Sequence, residues 1–545
     1  MANPSLQIGN SNWAIKKDNL LGYSTAGTRF LPIPITMTRA SAGTRVNPQG
    51  LVETVELFGS EEVTNGNFAT DSDWTKQAGW TISGGLALRS SGESINSALQ
   101  QSINIVSGKT YLVSYERTYI SGGGQTNLFS EFITDGVNIT LGIYNDTIQE
   151  TVTVTGTFTP TYSGTMILRI YGIGTFNGTI DNVSVKEYQA NDLARVDYTG
   201  STSSLLAEPQ RTNEVTYSED FSNAYFQKIR STISTDQISS PDGTQNADKF
   251  IEDSSLGTKL LWTQDYVVSI GDSLTWSVFA KKGERDWIVL QESNAGNFYA
   301  FFDLDNGVIG TTSGVDSSKI EDLGSGWYRC SITYTTTGTT AKGRLYLADS
   351  DNSQSYQGNG TSGLYIWAAQ LESGSFPTSY IPTSGSTVTR VQDQYSKTGI
   401  SDKINSTEGV LFVEMATLTS LVPSNNWLTI TDGTISNSIG IVFETTGTTT
   451  ARIEVGGVVQ AYIAIAGDYS ISRKLAFKWK ANDFAFWING VEVGSDISGA
   501  TPSSGVLNSM QLNYGAGGNY THGNIKQLQV FKTALTDSEL ATLTT

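Results

Sequence analysis

Residues that carry chemistry are scarce in this chain. Its 545 residues include one cysteine, Cys330, and one histidine, His522. A single thiol excludes an internal disulfide framework, so stability has to come from packing or association. The same scarcity excludes a Cys/His zinc site and any triad that needs a second histidine. Charged residues make up only 16%, and basic ones are the scarcer kind: 34 Lys and Arg against 52 Asp and Glu leave a net charge of −18. Such a chain is not built to hold nucleic-acid phosphates or an anionic lipid surface. No run reaches the roughly 18 apolar residues of a membrane helix, so no membrane insertion is expected. MANPSLQIGNSNWAIKK at the start lacks an apolar signal-peptide core, which predicts synthesis in a cytoplasm.

Glycine (56) and tyrosine (24) are plentiful. Short alternating runs separated by Gly and Asn turns predict an all-β protein of tandem jelly-roll β-sandwiches, and the length predicts several domains. Residues 1–56 are polar and weakly periodic, and the two prolines of LPIPIT exclude a helix or a central strand. They read as an extended N-terminal attachment segment, with Trp13, Arg45 and Arg195 as candidate attachment residues. The remaining boundaries are a jelly roll at 57–188, a continuation of the attachment element at 189–212, a second jelly roll at 213–384, a linker at 385–400 and a last domain at 401–545. Arg-Val pairs mark the joints: Arg45-Val46, Arg195-Val196 and Arg390-Val391. Tyr328, Cys330, Ile332 and Tyr334 alternate with polar residues, which turns Cys330 into a core. Asn489-Gly490 predicts a two-residue hairpin turn, and Thr536-Asp537-Ser538-Glu539 predicts a capping box opening a helix.

Three sets of motifs resemble known families. VTNGNFATDSDWTKQAGWTISGG, with GKTYLVSYERTY and IDNVSVKE, resembles carbohydrate-binding modules of the galactose-binding-like jelly-roll type. SLLAEPQRTNEVTYSEDFSNAYFQK, GWYRCSITY and NGTSGLYIWAAQLESGSFPTSYIPTSGSTVTR, together with TRASAGTRVNPQGLVETV, resemble a module recurrent in tailed-bacteriophage structural proteins. FWINGVEVG and IKQLQVFKTALTDSELATL resemble the laminin-G-like, concanavalin-type jelly roll. The second resemblance implies a place on virion fibres or appendages, attachment to other virion proteins and, as for fibres generally, a homotrimer. It also implies that 57–188 is an insertion, which requires Val46–Val55 to lie beside Ala194–Tyr198.

No enzyme constellation is present. The E-x-D-x-x-E string of concanavalin-type hydrolases is absent, and so are G-x-S-x-G, P-loop and dinucleotide-binding motifs in the right context. Asp303-Leu304-Asp305-Asn306-Gly307 matches only the first half of a calcium loop and reads as a hairpin turn. No cofactor is expected; structural calcium is an expectation of the sandwich families alone. Sugar recognition needs flat aromatic faces flanked by amides and carboxylates. Trp276, Trp327, Trp367, Trp479 and Trp487 fall in strand patterns and read as core. The glycan-binding candidates lie in turn-rich stretches: Trp74; Tyr144; Tyr356 with Asn359; and Tyr514, Asn519, Tyr520 and His522 in NYGAGGNYTHGN. The reading is a non-catalytic virion fibre or adhesin, exposed on the particle, that binds host-surface polysaccharide. The alternatives are a head-decoration or tail-appendage protein that binds other virion proteins, and, last, a glycan depolymerase.

Overall fold

Alternation of apolar and polar residues governs nearly every element. In the computed structural model, which describes residues 3–9, 14–16, 19–26, 29–90, 97–121, 127–134, 137–145, 151–172, 177–199, 202–294, 296–515 and 517–545, the protein is an all-β assembly of antiparallel sandwiches. It divides into two units: Met1–Val55 together with Asn191–Thr545, and Glu56–Ala190.

The smaller unit is a sandwich of a six-stranded and a five-stranded sheet. Its core holds Phe68, Trp74, Trp80, Leu99, Tyr115, Leu168 and Val185. The long strands Tyr111–Ser121 and Asn177–Gln189 pair at its centre.

The larger unit contains two sandwich lobes. The middle lobe, within residues 213–384, packs a seven-stranded sheet on a six-stranded one. Trp276, Cys330, Ile332 and Tyr334 lie fully buried between them, so Cys330 is a core residue whose thiol burial pushes up. The C-terminal lobe is closed by strands from far away in sequence. Leu6–Gly9 pairs with Gly523–Phe531, Leu6 opposite Val530, and the Ser5 hydroxyl donates to the Val530 carbonyl across 525 residues. Leu6, Ile8, Ile35 and Met37 join Leu411, Trp479, Phe486 and Val530 in one core. The stretch read as a free attachment segment therefore supplies strands to this sandwich, because its few apolar residues find their partners in the C-terminal sheet. Within Arg29–Thr38, Pro32 and Pro34 pair only with Asn19–Ala26, and the second neighbour, Gln394–Lys397, starts at Thr36. Prolines thus occupy the part of the strand that has an open side. Gln394–Lys397, read as linker, is itself a strand of this sheet.

The Asn489-Gly490 turn has both residues left-handed, φ 48° and 84°, as a two-residue hairpin requires. The helix Asp537–Thr544 carries its capping box: Glu539 N–H donates to Thr536 Oγ1, and Thr536 N–H to Glu539 Oε2. Thr536→Ala is expected to destabilise the C-terminal lobe by about 1 kcal/mol, seen as earlier proteolytic release of the last residues. Unchanged release would show that the packing of Leu540 and Leu535 on Phe412 and Trp487 suffices alone.

Candidate functional site

The strands Asn426–Thr431, Ser438–Phe443, Thr448–Val455 and Val458–Ala466 form one antiparallel face of the C-terminal lobe. Alternate residues Leu428, Ile430, Ile439, Ile441, Ala451, Ile453, Ala461 and Ile463 enter the core. The other parity faces away from this core, with Trp427, Thr429, Val442 and Thr450 still buried and Tyr462 exposed. Register places Gln511, Thr429, Gly440, Arg452 and Tyr462 in one row across neighbouring strands. The adjoining row holds Trp427, Val442 and Thr450.

Trp427 dominates this face. Only 6% exposed, it carries the Tyr514 ring edge-on at 4.5 Å, and the Arg452 guanidinium lies 5.7 Å from its ring centre. Its indole Nε1 is buried with no hydrogen-bond partner among the described residues. Arg452 is ion-paired with Glu454, so the guanidinium is already neutralised. Tyr462 is 50% exposed and donates to Glu444 Oε1 at 2.9 Å, which also accepts from Thr450 Oγ1. Gly440 lies tight against the neighbouring strand, where a Cβ would sit 3.2 Å from Thr429 Cγ2 and from the Leu428 carbonyl oxygen.

The predicted loop converges here. Trp427 N–H donates to the Asn519 carbonyl, Tyr520 bridges to Trp427, and Thr521 Oγ1 donates to the Trp427 carbonyl at 2.6 Å. Asn519 is exposed and left-handed at φ 47°, beside Gly517 and Gly518. Tyr514, Asn519 and Tyr520 thus border one aromatic face, whereas Trp427, Arg452 and Tyr462 were missed. The signal for them was parity: with Leu428 and Ile430 assigned to a core, Trp427 has to face the other way.

His522 belongs elsewhere. Its backbone carbonyl accepts from Asn426 Nδ2, but its ring is buried with Nε2 unpartnered among the described residues. Burial lowers its pKa to about 4, in the field of Asp393, Arg211, Glu208 and Arg390. A buried ring offers no face to a ligand.

Two other candidates are also displaced from any surface. Trp74 packs on Phe68 at 5.3 Å and donates its Nε1–H to the Asn65 carbonyl, deep in the smaller unit. Tyr356 is buried, with Lys259 and Arg285 over its ring at 4.2 and 4.8 Å, and its hydroxyl donates to Glu252 at 2.7 Å. Asn359 is exposed, but its side-chain oxygen accepts from Thr361 and Ser362 N–H and closes a turn. Tyr144 falls on the strand Val137–Asn145; its side chain, like all of Trp13, lies outside the described residues. Asp303 spends Oδ1 on the N–H groups of Asp305 and Asn306, making a hairpin turn.

Of the two candidate attachment arginines, Arg195 belongs to an internal knot and Arg45 lies outside it. Arg195 is completely buried between Glu208, 2.6 Å from Oε2, and Asp393, so it is not available to a partner. Arg39 reaches Asp393 Oδ1 at 2.7 Å, and Arg390 reaches Glu208 Oε2 at 3.0 Å. Burial opposes both carboxylates, yet the guanidiniums outweigh it and hold Glu208 and Asp393 below the usual range. Burial, joined by the Arg195 charge, lowers Arg390 to about 10 against the pull of Glu208. Gly43 passes so close that a Cβ would lie 2.9 Å from Arg39 Cζ. Arg45 is half-buried, pairs with Glu53 at 2.9 Å and donates to the Val196 carbonyl, while Val46 N–H donates to Asp197 Oδ2 and Tyr198 N–H to the Val46 carbonyl. The two stretches that flank Glu56–Ala190 in sequence are therefore neighbours.

No family model matches the chain, and no curated protein matches it. Among solved structures it is similar to the CBM40 of a Ruminococcus gnavus IT-sialidase bound to α2,3-sialyllactose (16% identity, TM-score 0.23, 26% of this chain and 83% of that one). It is also similar to the CBM22-1–CBM22-2 tandem of Paenibacillus barcinonensis Xyn10C (12%, 0.20, 59% and 98%). A third likeness is to domains LG4-5 of the mouse laminin α1 chain (12%, 0.18, 53% and 88%). Overlaps this small leave the reading of the site to its own geometry.

Proposed function

We propose that the chain is a non-catalytic glycan-binding protein of a bacteriophage particle, whose sandwich faces engage host-surface polysaccharide. The observation that carries the binding part is the half-exposed Tyr462 ring beside Arg452, with Tyr514 bordering the same face above the buried Trp427. Exposed aromatic rings accept the C–H faces of sugar rings, and the Gln511 amide and the Arg452–Glu454 pair lie on the same face to meet sugar hydroxyls. Because the charge of Arg452 is already met by Glu454, this face suits neutral sugars. The place on a virion rests on the phage-module motifs of residues 1–56 and 189–392. Single faces of this kind bind weakly, and several copies on one particle would raise avidity without new contacts.

Tyr462→Ala is expected to weaken binding of neutral host glycans about tenfold, the loss of one aromatic anchor, measured by calorimetry after an array screen. Equal affinity, or no glycan retained by the full chain, sinks the reading. Shortening of purified host polysaccharide by the protein would overturn its non-catalytic part. Failure of labelled antibody against the chain to decorate intact particles would overturn the virion part.

A further inference from the structure

The seven-stranded sheet of the middle lobe has a second face that the core does not use. Leu261, Ile288, Leu290, Ala300, Phe302, Leu345 and Leu347 point into the sandwich. Their neighbours of opposite parity form a separate cluster on the other side: Leu260, Val289, Phe301 and Tyr346, with Trp262, Trp287 and Tyr299 packed against them. Register puts Trp262, Arg344, Gln291 and Tyr299 in one row across four adjacent strands. All four side chains are half-buried. The outer two are aromatic and stand three strand spacings apart, about 14 Å. The Tyr299 ring is braced edge-on by Phe301 at 5.9 Å.

Arg344 at the middle of this row differs from every buried arginine of the knot described above. No carboxylate among the described residues pairs with it. Among the described residues its Nη2 reaches the Asn294 amide oxygen, at 3.4 Å, and its buried Nε has no partner. The nearby acid, Asp265, feels the Arg344 charge but spends its contacts on Lys342 at 2.7 Å and Asn294 Nδ2 at 2.9 Å. Gln291 is held in place by Asn297, its Nε2–H donating to Asn297 Oδ1 at 2.8 Å. A half-buried guanidinium on an apolar floor, with donors left over, is the group that a ligand carboxylate satisfies bidentately. The rings on either side supply the flat faces for the sugars that flank it.

We propose that this face binds an acidic glycan, with the carboxylate of a sugar acid on Arg344 and neighbouring sugar rings against Trp262 and Tyr299. It is a site separate from the Trp427 face and of different specificity, since Arg452 there is neutralised from within and Arg344 is not. The proposal rests on the reading of the chain as a glycan-binding protein, and the test separates the two.

The full-length chain is offered a panel of uronic-acid-containing bacterial polysaccharides, each also presented after chemical reduction of its carboxyl groups. Retention of at least one acidic polymer is expected, falling tenfold or more on carboxyl reduction and in Arg344→Gln. Arg344→Lys is expected to retain part of the affinity, because the charge stays and the fork is lost. Trp262→Ala is expected to weaken the same polymer. Tyr462→Ala should leave it unchanged, while weakening neutral glycans. The denaturation midpoint of Arg344→Gln should match the parent, which excludes misfolding as the cause. Retention of no acidic polymer, equal retention after carboxyl reduction, or full affinity in Arg344→Gln would each overturn the proposal. Tyr462-dependent binding of neutral glycans would survive any of those outcomes.

Discussion

Asp393→Ala is expected to destabilise the larger unit by about 3–5 kcal/mol, the cost of leaving buried charges without their partner. Asp393 accepts from Arg39 and Arg195 side chains and from the Glu208 N–H. Its removal strands the fully buried Arg39 guanidinium and leaves the equally buried Arg195 only Glu208, which Arg390 also uses. The knot draws together residues as distant as Arg39 and Asp393, 354 apart, so its loss should loosen the N-terminal strands and the C-terminal lobe together. Chemical denaturation followed by tryptophan fluorescence reads the midpoint, and limited proteolysis reads the release of residues 1–55. The double variant Arg195→Met, Asp393→Ala is expected to lose less than the two single changes added, because the Arg195–Asp393 pair is removed whole, while Arg39 loses its partner in the single and the double variant alike. Additive losses would mean that the two residues act through packing and not through each other.

Lowering the pH from about 6.5 to 4 is expected to remove about 3 kcal/mol of stability through His522 alone. Burial lowers its pKa to about 4, so the ring is neutral in the fold, and the unfolded chain takes up a proton first as the pH falls. The contribution is complete above the ordinary histidine value and is lost as pH drops through the folded one. Glu208 and Asp393, held low by the arginines after burial is outweighed, act in the same direction at still lower pH. Asp248, raised to about 6 by burial, acts the other way, favouring the fold in acid and losing that advantage as pH rises. The measurement is therefore a difference: stability against pH for the parent minus that for His522→Gln. A slope between pH 6.5 and 4 that vanishes in the difference curve would show that His522 does not titrate with folding.

Local features were legible because neighbouring residues decide them. Alternation around Cys330 gives a half-buried strand whichever sheet it joins. Asn489-Gly490 makes its turn because both residues tolerate a left-handed backbone, and Thr536 caps its helix through an atom three residues away. The aromatic loop at 514–522 was legible as a ligand candidate, and three of its four named residues do border an aromatic face.

What the tertiary structure alone decided is everything that depends on which strand lies beside which. Trp74, Tyr356 and His522 have the composition of a sugar site but are buried, and nothing within a few residues of them says so. Arg452 and Tyr462 share a row, with Trp427 in the row beside it, only after four strands take their register, and the row of Trp262, Arg344, Gln291 and Tyr299 likewise needs four. The polar stretch 1–56 looks too poor in apolar residues to fold by itself, and its strands pack on the C-terminal sheet. Leu6 and Ile8 become core because Gly523–Phe531 leaves one edge open to them. Backbone hydrogen bonding is the same for any two strands, so local sequence cannot name the partner. Only the complementary packing of residues hundreds of positions apart selects it.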